Sequence, residues 1–239
     1  MTLPSTSARL FRHPGAVPEL RAGAQVSEHR LTNGLRVLLA ERHSDPVVAS
    51  VLFYNAGART ESEREAGLSH FLEHMMFKGT PRHGKGEIDR ITAELGGQNN
   101  AFTGYDHTAY WFELASDRWE RALELESDRM RHLLLDPAEF EAERAVVLEE
   151  LAMGEDDPWR ALARRVEEAL FPHHPYGRPI IGYPESLKGT ALAAATHDKE
   201  VSIIVAVPRL LGIIRDNILT QIGNLPRPLP YILLRTVRL

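Results

Sequence analysis

The chain has 239 residues and a formal net charge of −5, from 28 basic and 33 acidic side chains. This balance, without a run of lysine and arginine, gives no support to nucleic-acid binding. The sequence contains no cysteine, so disulfides are excluded and any metal site must use histidine, aspartate or glutamate. No apolar run reaches the length of a membrane span, so we expect no membrane association.

The first 24 residues predict an irregular arm. They lack the apolar stretch of a secretory signal, and prolines interrupt the amphipathic helix that a mitochondrial targeting segment needs. We therefore expect a cytoplasmic bacterial protein, which is a simpler interpretation than a protein of the mitochondrial matrix.

The next part of the chain predicts strands and two helices. Alternating apolar residues on both sides of Asn33-Gly34 predict a β-hairpin, and the apolar, β-branched stretch VVASVLFYNAG predicts a buried strand. Apolar residues at helical spacing predict a helix from Glu65 to Phe77. GEIDRITAELGG predicts a short helix ended by glycines. NNAFTGYDHTAYWFELA predicts a strand, a tight turn and a second strand.

Three further helices and a loop are predicted downstream. Asp117 is the expected cap of a helix that runs to about Leu134. Pro137 is expected at the start of a long amphipathic helix, AEFEAERAVVLEELAMGED, and PWRALARRVEEALF predicts another. PHHPYGRPIIGYPESL is rich in proline and glycine, which is typical of a loop. After about Gly189 no hydrophobic period persists. The expected fold is α+β, a mixed and mostly antiparallel sheet packed with helices.

The helix predicted around residue 70 carries His70, Glu73 and His74 in an otherwise apolar stretch. His70 and His74 lie on one helix face, one turn apart, so both can reach one zinc ion at about 2.0–2.1 Å. Glu73 can lie beside that ion as a general base for a water. The alternative is two partly buried structural histidines with a solvated glutamate. Three ionisable groups in an apolar stripe make that alternative costly unless a partner such as a metal is present.

A catalytic zinc takes a third protein ligand, and the predicted helix at 139–153 offers candidates. Glu143 and Glu150 are two turns apart and share a face, whereas Glu149 is rotated from Glu150 by about 100°. Apolar side chains lie on or next to that face: Val146, Val147 and Leu151. The alternative is an exposed helix with i,i+4 salt bridges, which the many acidic residues of this helix favour, so the spacing leaves Glu150 as a candidate only.

Six blocks of sequence, in order, resemble the pitrilysin/insulinase family of zinc metallopeptidases. The resemblance is strongest to the mitochondrial-processing-peptidase β-subunit type and its bacterial zinc-protease relatives. It covers about Val26 to Lys188, and one block contains the inverted zinc-peptidase motif H-x-x-E-H. The blocks are LTNGLRVLL, NAGARTE, GLSHFLEHMMFKGT, ELGGQNNAFTGYDHTAYWFEL, ERAVVLEELAMGEDDP and HPYGRPIIG. An ordered series of this kind is far more specific than the triplet alone.

The resemblance implies a role for each matching residue. It implies one zinc ion per chain, bound by His70, His74 and Glu150, with Glu73 as the general base. Glu143 would be a carboxylate outside the ligand set that orients the site. An extended peptide would add as a further strand to an edge strand of the sheet, which contains Asn100, Ala101, Phe102 and Thr103. The alternative for these four residues is a plain edge strand.

The resemblance also implies the domain organisation and the function. Residues 25–189 would form the zinc-peptidase catalytic domain, a metallopeptidase α/β roll, between the arm 1–24 and a divergent tail 190–239. Family members of this type carry a homologous second half that closes on the peptide like a clamshell and adds an arginine and a tyrosine. This chain resembles the first half only, so a second half or subunit is a possible partner.

Three functions are consistent with these implications. The expected function is a zinc metalloendopeptidase acting on extended peptides or unfolded polypeptides. A non-catalytic partner subunit is an alternative, against which the complete H-x-x-E-H motif argues. The other alternative is a truncated or partner-dependent zinc-binding subunit with no turnover alone.

Overall fold

A six-stranded sheet with the strand order β1-β2-β6-β3-β5-β4 organises the chain. The structure is a computed structural model that describes residues 26–41, 44–188 and 232–237. The strands are β1 (Val26–Arg30), β2 (Arg36–Ala40), β3 (Val47–Tyr54), β4 (Gln98–Thr103), β5 (Thr108–Ala115) and β6 (Ile232–Val237). All neighbouring strands are antiparallel except β3 and β6. The predicted mixed, mostly antiparallel sheet is therefore confirmed.

Six α-helices accompany the sheet in the described residues. They are α1 (Leu68–Met75), α2 (Glu87–Glu94), α3 (Glu120–His132), α4 (Pro137–Asp156), α5 (Pro158–Leu170) and α6 (Pro184–Lys188). None of the helices in this part of the chain is long and apolar enough to cross a membrane.

The hairpin of β1 and β2 shows how local sequence sets the start of the sheet. Arg30 pairs with Arg36 across the hairpin, and the Asn33 side chain accepts the Leu35 N–H at 2.9 Å. Gly34 has φ of 89°, a conformation that glycine adopts without steric cost. The predicted hairpin at Asn33-Gly34 is confirmed.

Two hydrophobic clusters hold the helices. The larger cluster joins the sheet to α2 and α3, with Phe112 and Leu125 almost fully buried. The smaller cluster joins α1, α4 and α6, and its members are Phe71, Met75, Phe140, Val147, Leu151 and Leu187. Full burial of one such side chain contributes about 1.5–3 kcal/mol. The smaller cluster therefore fixes α1 against α4 and brings the two predicted groups of ligands together.

The helix boundaries correct two predictions. α1 begins at Leu68 rather than Glu65, because Gly67 precedes it with φ of 94° and interrupts the helix. α3 begins at Glu120, and Asp117 is not its cap. Asp117 instead pairs with Arg118 at 2.9 Å, because the chain turns directly after β5 before α3 begins.

Two further differences concern α4 and the predicted loop. Val146 was expected on or next to the inward face of α4, but it is 51% exposed. The buried face is centred on Val147 and Leu151, and Val146 is rotated from Val147 by about 100°. The segment predicted as a loop after α5 contains the short helix α6. The predicted arm 1–24 lies outside the described residues, as does the predicted tail 190–239 apart from β6.

Candidate metal centre

The first turn of α1 is stabilised by a glutamate from an earlier segment. The Glu61 carboxylate accepts the backbone N–H groups of Gly67 and Ser69 at 2.8 and 2.6 Å. A carboxylate at a helix N-terminus is favourable because the first N–H groups lack partners within the helix. Burial raises the pKa of Glu61 above its ordinary value, although these N–H groups oppose the shift. Glu61 therefore anchors the helix that carries His70, Glu73 and His74.

Three potential ligand atoms meet between α1 and α4. Nε2 of His70 lies 3.7 Å from Oε2 of Glu150, and Nε2 of His74 lies 3.5 Å from the same oxygen. The ligand atoms of the three residues all lie within 4.8 Å of one another. Two ligands about 2.1 Å from a tetrahedral zinc ion are about 3.4 Å apart. The spacing to Glu150 is therefore close to that of a zinc site.

Burial controls the protonation of His70. Its side chain is 13% exposed, and burial lowers its pKa to about 4, with the neighbouring His74 adding to the shift. The imidazole is therefore neutral near pH 7. A neutral imidazole offers the nitrogen lone pair that a metal requires.

His74 is oriented by a buried carboxylate behind it. Its Nδ1 lies 2.9 Å from Oε1 of Glu143, which also forms an ion pair with Lys78. Burial opposes ionisation of Glu143, but the hydrogen bonds from Lys78 and His74 hold its pKa below the ordinary value. An Nδ1–H donated to Glu143 leaves Nε2 of His74 free to face Glu150. The Glu150 carboxylate raises the pKa of His74, so a metal would displace a proton there.

Glu73 lies beside this cluster without belonging to it. Its carboxylate accepts a hydrogen bond from the Thr103 hydroxyl at the end of β4. Burial raises the pKa of Glu73 above its ordinary value, and the Thr103 bond opposes that shift. The structure thus brings a carboxylate with raised proton affinity next to three candidate ligands.

The predicted substrate strand is at the sheet edge. Among the described strands β4 pairs with β5 alone. Asn100 and Phe102 are exposed, whereas Ala101 and Thr103 are partly buried. The Asn100 side chain accepts the N–H of Ala101 at 2.8 Å, so a bound peptide would compete with this contact for the Ala101 N–H.

A cavity of about 820 Å³ opens next to the candidate ligands. His70, Glu150 and Thr103 line one side, and α5 lines another. Arg164 of α5 pairs with Glu155 near the end of α4 and with Glu168 of α5, at 3.2 and 3.0 Å. The cavity is large enough for several atoms of a peptide beside the ligand cluster.

The sequence profile described as Insulinase (Peptidase family M16) matches residues 36–183. This chain belongs to the insulinase family. The resemblance inferred from the six sequence blocks is therefore confirmed, and the matched residues contain both ligand helices and β4.

Curated relatives of this insulinase-family chain are named zinc proteases. An uncharacterised zinc protease of Mycobacterium bovis is 40% identical over 161 residues, which is 66% of this chain and 36% of the relative. YmxG of Bacillus subtilis, also uncharacterised, is 34% identical over 72% of this chain and 43% of its own length. Zinc protease PqqE of Helicobacter pylori is 34% identical over 68% and 37%. The chain thus spans less than half the length of these relatives.

Solved structures give the same fold. A protease from Helicobacter pylori superposes with a TM-score of 0.67 and 32% identity, covering 70% of this chain and 40% of that one. Pitrilysin superposes with a TM-score of 0.65 and 27% identity, covering 82% of this chain and 23% of that one. The chain therefore corresponds to a single half-domain of these larger proteins.

The structure adds residues that the sequence reasoning missed. Lys78 pairs with Glu143, and Glu61 caps α1. Helical spacing did not point to Lys78, because α1 ends at Met75 and Lys78 lies three residues beyond it. No local signal pointed to Glu61, because its contact with α1 depends on a turn in the chain.

Proposed function

We propose that this chain is the catalytic half of a zinc-dependent metalloendopeptidase acting on extended peptides or unfolded polypeptides. The observation that carries the proposal is the meeting of His70, His74 and Glu150 within 4.8 Å, with Glu73 next to them and outside the set. Membership of a peptidase family and relatives named zinc proteases support it.

The donor set suits one zinc ion per chain. Two imidazole nitrogens and one carboxylate oxygen are the three protein ligands of many catalytic zinc sites, which leave one position open. When bound, zinc supplies a Lewis acid that polarises a carbonyl and lowers the pKa of a water. Neutral His70 favours metal binding over protonation, and the Nδ1 contact of His74 with Glu143 leaves its Nε2 directed toward Glu150.

Glu73 is the proposed general base. Its carboxylate accepts a proton from the attacking water and then delivers that proton to the leaving amine. A carboxyl with a raised pKa is suited to both steps, because it accepts and releases a proton near neutral pH more readily than an exposed glutamate. Glu143 is proposed to hold His74 in place, without contact to the substrate.

The edge strand β4 is the proposed binding surface for the peptide backbone. An extended peptide can hydrogen-bond to the open side of β4 along Asn100, Ala101, Phe102 and Thr103. Backbone pairing would present the scissile bond near Glu73, because Thr103 contacts that carboxylate. Recognition through the backbone tolerates many side chains, which suits an endopeptidase for unfolded substrates.

A second candidate is a zinc-binding subunit that needs a further half or subunit for turnover. The observation in its favour is that the chain spans 36% to 43% of the curated relatives described above.

The cytoplasmic location and the division into an arm, a catalytic domain and a tail stay predictions.

Cleavage of an unstructured peptide tests the proposal. We expect the zinc-loaded chain to hydrolyse the peptide, and Glu73→Gln to lower kcat by about 10²–10⁴-fold while retaining zinc. Zinc retention without cleavage by the unmodified chain would favour the second candidate. Equal cleavage by Glu73→Gln would contradict the role of Glu73.

A further inference from the structure

The turn between β4 and β5, residues 104–107, is held by side chains from two other segments. The Asp106 carboxylate accepts the Tyr176 hydroxyl at 3.0 and 2.8 Å. The same carboxylate lies 2.8 Å from Nε of Arg59. We call Arg59, Asp106 and Tyr176 the turn clasp. Arg59 and Tyr176 are 117 positions apart in sequence, so the clasp joins distant parts of the fold.

An aromatic contact reinforces the turn clasp. The Tyr105 ring stacks on the Tyr176 ring with a centroid distance of 4.8 Å. The Tyr105 hydroxyl donates to Glu167 of α5 at 2.9 Å. The turn is therefore attached to α5 as well as to the segment that carries Tyr176.

Backbone contacts leave little space for the turn to move toward residue 57. The Ala58 N–H donates to the carbonyl of Gly104 at 3.2 Å, and the Arg59 N–H donates to the carbonyl of Tyr105 at 2.9 Å. A Cβ atom on Gly57 would lie 2.5 Å from the Gly104 oxygen. This distance is well inside van der Waals contact, so the two segments pack against each other directly.

The clasped turn begins one residue after Thr103, whose hydroxyl donates to Glu73. A threonine hydroxyl has few rotamers, so its position follows the position of its backbone. We propose that the turn clasp positions the Glu73 carboxylate through Thr103. Arg59, Asp106 and Tyr176 are then positioning residues, and this inference rests on the proposed role of Glu73 as general base.

A fixed position of the Glu73 carboxylate would favour its role as general base. A general base must lie within hydrogen-bond reach, about 2.6–3.2 Å, of the proton it takes. Thr103 holds one oxygen of Glu73 and leaves the other for the attacking water. Because a displacement of about 1 Å can cost up to about 10²-fold in rate, loosening the turn should lower kcat without removing the metal ligands.

Hydroxyl-proton exchange measured by NMR tests the positioning without requiring turnover. In the zinc-loaded chain we expect the Thr103 hydroxyl proton to be protected, and Tyr176→Phe to raise its exchange rate by about tenfold or more. Asp106→Asn, which weakens both clasp contacts, should act in the same direction. Tyr183→Phe is the matched control, since Tyr183 follows in the same segment and bonds Ser186 through its backbone.

Two results would overturn the inference. One is a Thr103 hydroxyl proton that exchanges in the unmodified chain as fast as the hydroxyl proton of an exposed threonine. The other is an unchanged exchange rate in both Tyr176→Phe and Asp106→Asn. A lower unfolding temperature with unchanged Thr103 exchange would show a merely structural role, and would also overturn it.

Kinetics provide the second readout. We expect Thr103→Val to lower kcat by about tenfold with little change in KM or zinc content, and Thr103→Ser to restore most of the rate. Tyr176→Phe should lower kcat less than Thr103→Val, because the backbone contacts of the turn remain. Equal kcat in Thr103→Val and the unmodified chain would contradict positioning. Absence of turnover in the unmodified chain would count against the proposed function, and the exchange measurement would still decide the positioning.

Discussion

Helices α4 and α5 begin with the same capping motif, but α4 is partly buried and α5 is not. Each starts with Asp-Pro, and the side chains of Asp136 and Asp157 accept backbone N–H groups of the first turn. α4 buries one face, including Glu143 at 6% exposure, whereas α5 has no buried residue. Trp159 and Leu170 on α5 are 78% and 68% exposed.

Capping residues and hydrophobic spacing set where these two helices begin, but they do not determine which helix face is buried. Both helices satisfy the same local rules. Only α4 packs with α1, because the cluster around Val147 and Leu151 fills the space between them. The candidate third ligand, Glu150, is thus carried by the helix that tertiary packing holds in place.

The largest expected difference in the free energy of unfolding is between removing an ion-pair partner of α4 and removing one of α5. Lys78→Met should destabilise the metal-free chain by about 3–5 kcal/mol, because it leaves the Glu143 carboxylate buried with one partner fewer. Urea unfolding gives the free energy. Arg164→Met is the matched control, since the pair of Arg164 with Glu168 is more than one-third exposed and should contribute less than about 1 kcal/mol. Similar losses in both variants would contradict the contrast.

Truncating one leucine on each helix should show the difference in packing between α4 and α5 as a difference in the free energy of unfolding. Leu151 on α4 is 6% exposed and Leu162 on α5 is 52% exposed. We expect Leu151→Ala to cost about 2–5 kcal/mol and Leu162→Ala less than about 1 kcal/mol, measured by the same denaturation. A large loss in Leu162→Ala would show that the α5 face is covered in the intact chain.

The pH dependence of stability should report the burial of His70. Because its folded-state pKa is lowered from 6.5 to about 4, the unfolded chain binds more protons between these values, and stability falls as pH decreases through this window. The contribution is at most about 3 kcal/mol, and the raised pKa of His74 acts in the opposite direction. His70→Gln should weaken the acid-dependent loss in the metal-free chain. An unchanged slope would show that His70 is not buried in its neutral form.

The smallest expected effect concerns the helix caps. Asp136→Ala and Asp157→Ala each remove hydrogen bonds to the N–H groups of a first turn, and each should cost about 1 kcal/mol. Because the caps are alike, thermal unfolding should give similar losses for the two variants. A much larger loss for Asp136→Ala would mean that the cap also supports the packing of α4.

Much of the fold was predictable because local rules determined it. The Asn33-Gly34 hairpin follows from turn chemistry, and the Pro137 start of α4 follows from the preference for proline in the first helical turn. The edge position of β4 was not given by periodicity, and was expected only from the family resemblance. The short helix α6 was missed because its proline- and glycine-rich surroundings obscure helical spacing.

Less of the candidate site than of the fold was predictable from local sequence. His70 and His74 were singled out by spacing, while Glu150 could be separated from Glu149 only by orientation and resemblance. Tyr176 was beyond reach, because its contact with Asp106 joins segments 70 positions apart. Glu61 was beyond reach, because its contact with α1 depends on how the chain turns between them. Side chains that act across the tertiary structure leave no periodic signal.

Zinc content is the most direct measurement of the central claim. Plasma mass spectrometry on the gel-filtered chain should give about one zinc per chain, and Glu150→Gln should lose most of it. Glu149→Gln is the matched control, because Glu149 is exposed and directly precedes the proposed ligand. The proposed ligand set predicts zinc in the unmodified chain and in Glu149→Gln, and little in Glu150→Gln. A folded, unmodified chain without zinc, or equal zinc in all three proteins, would contradict it.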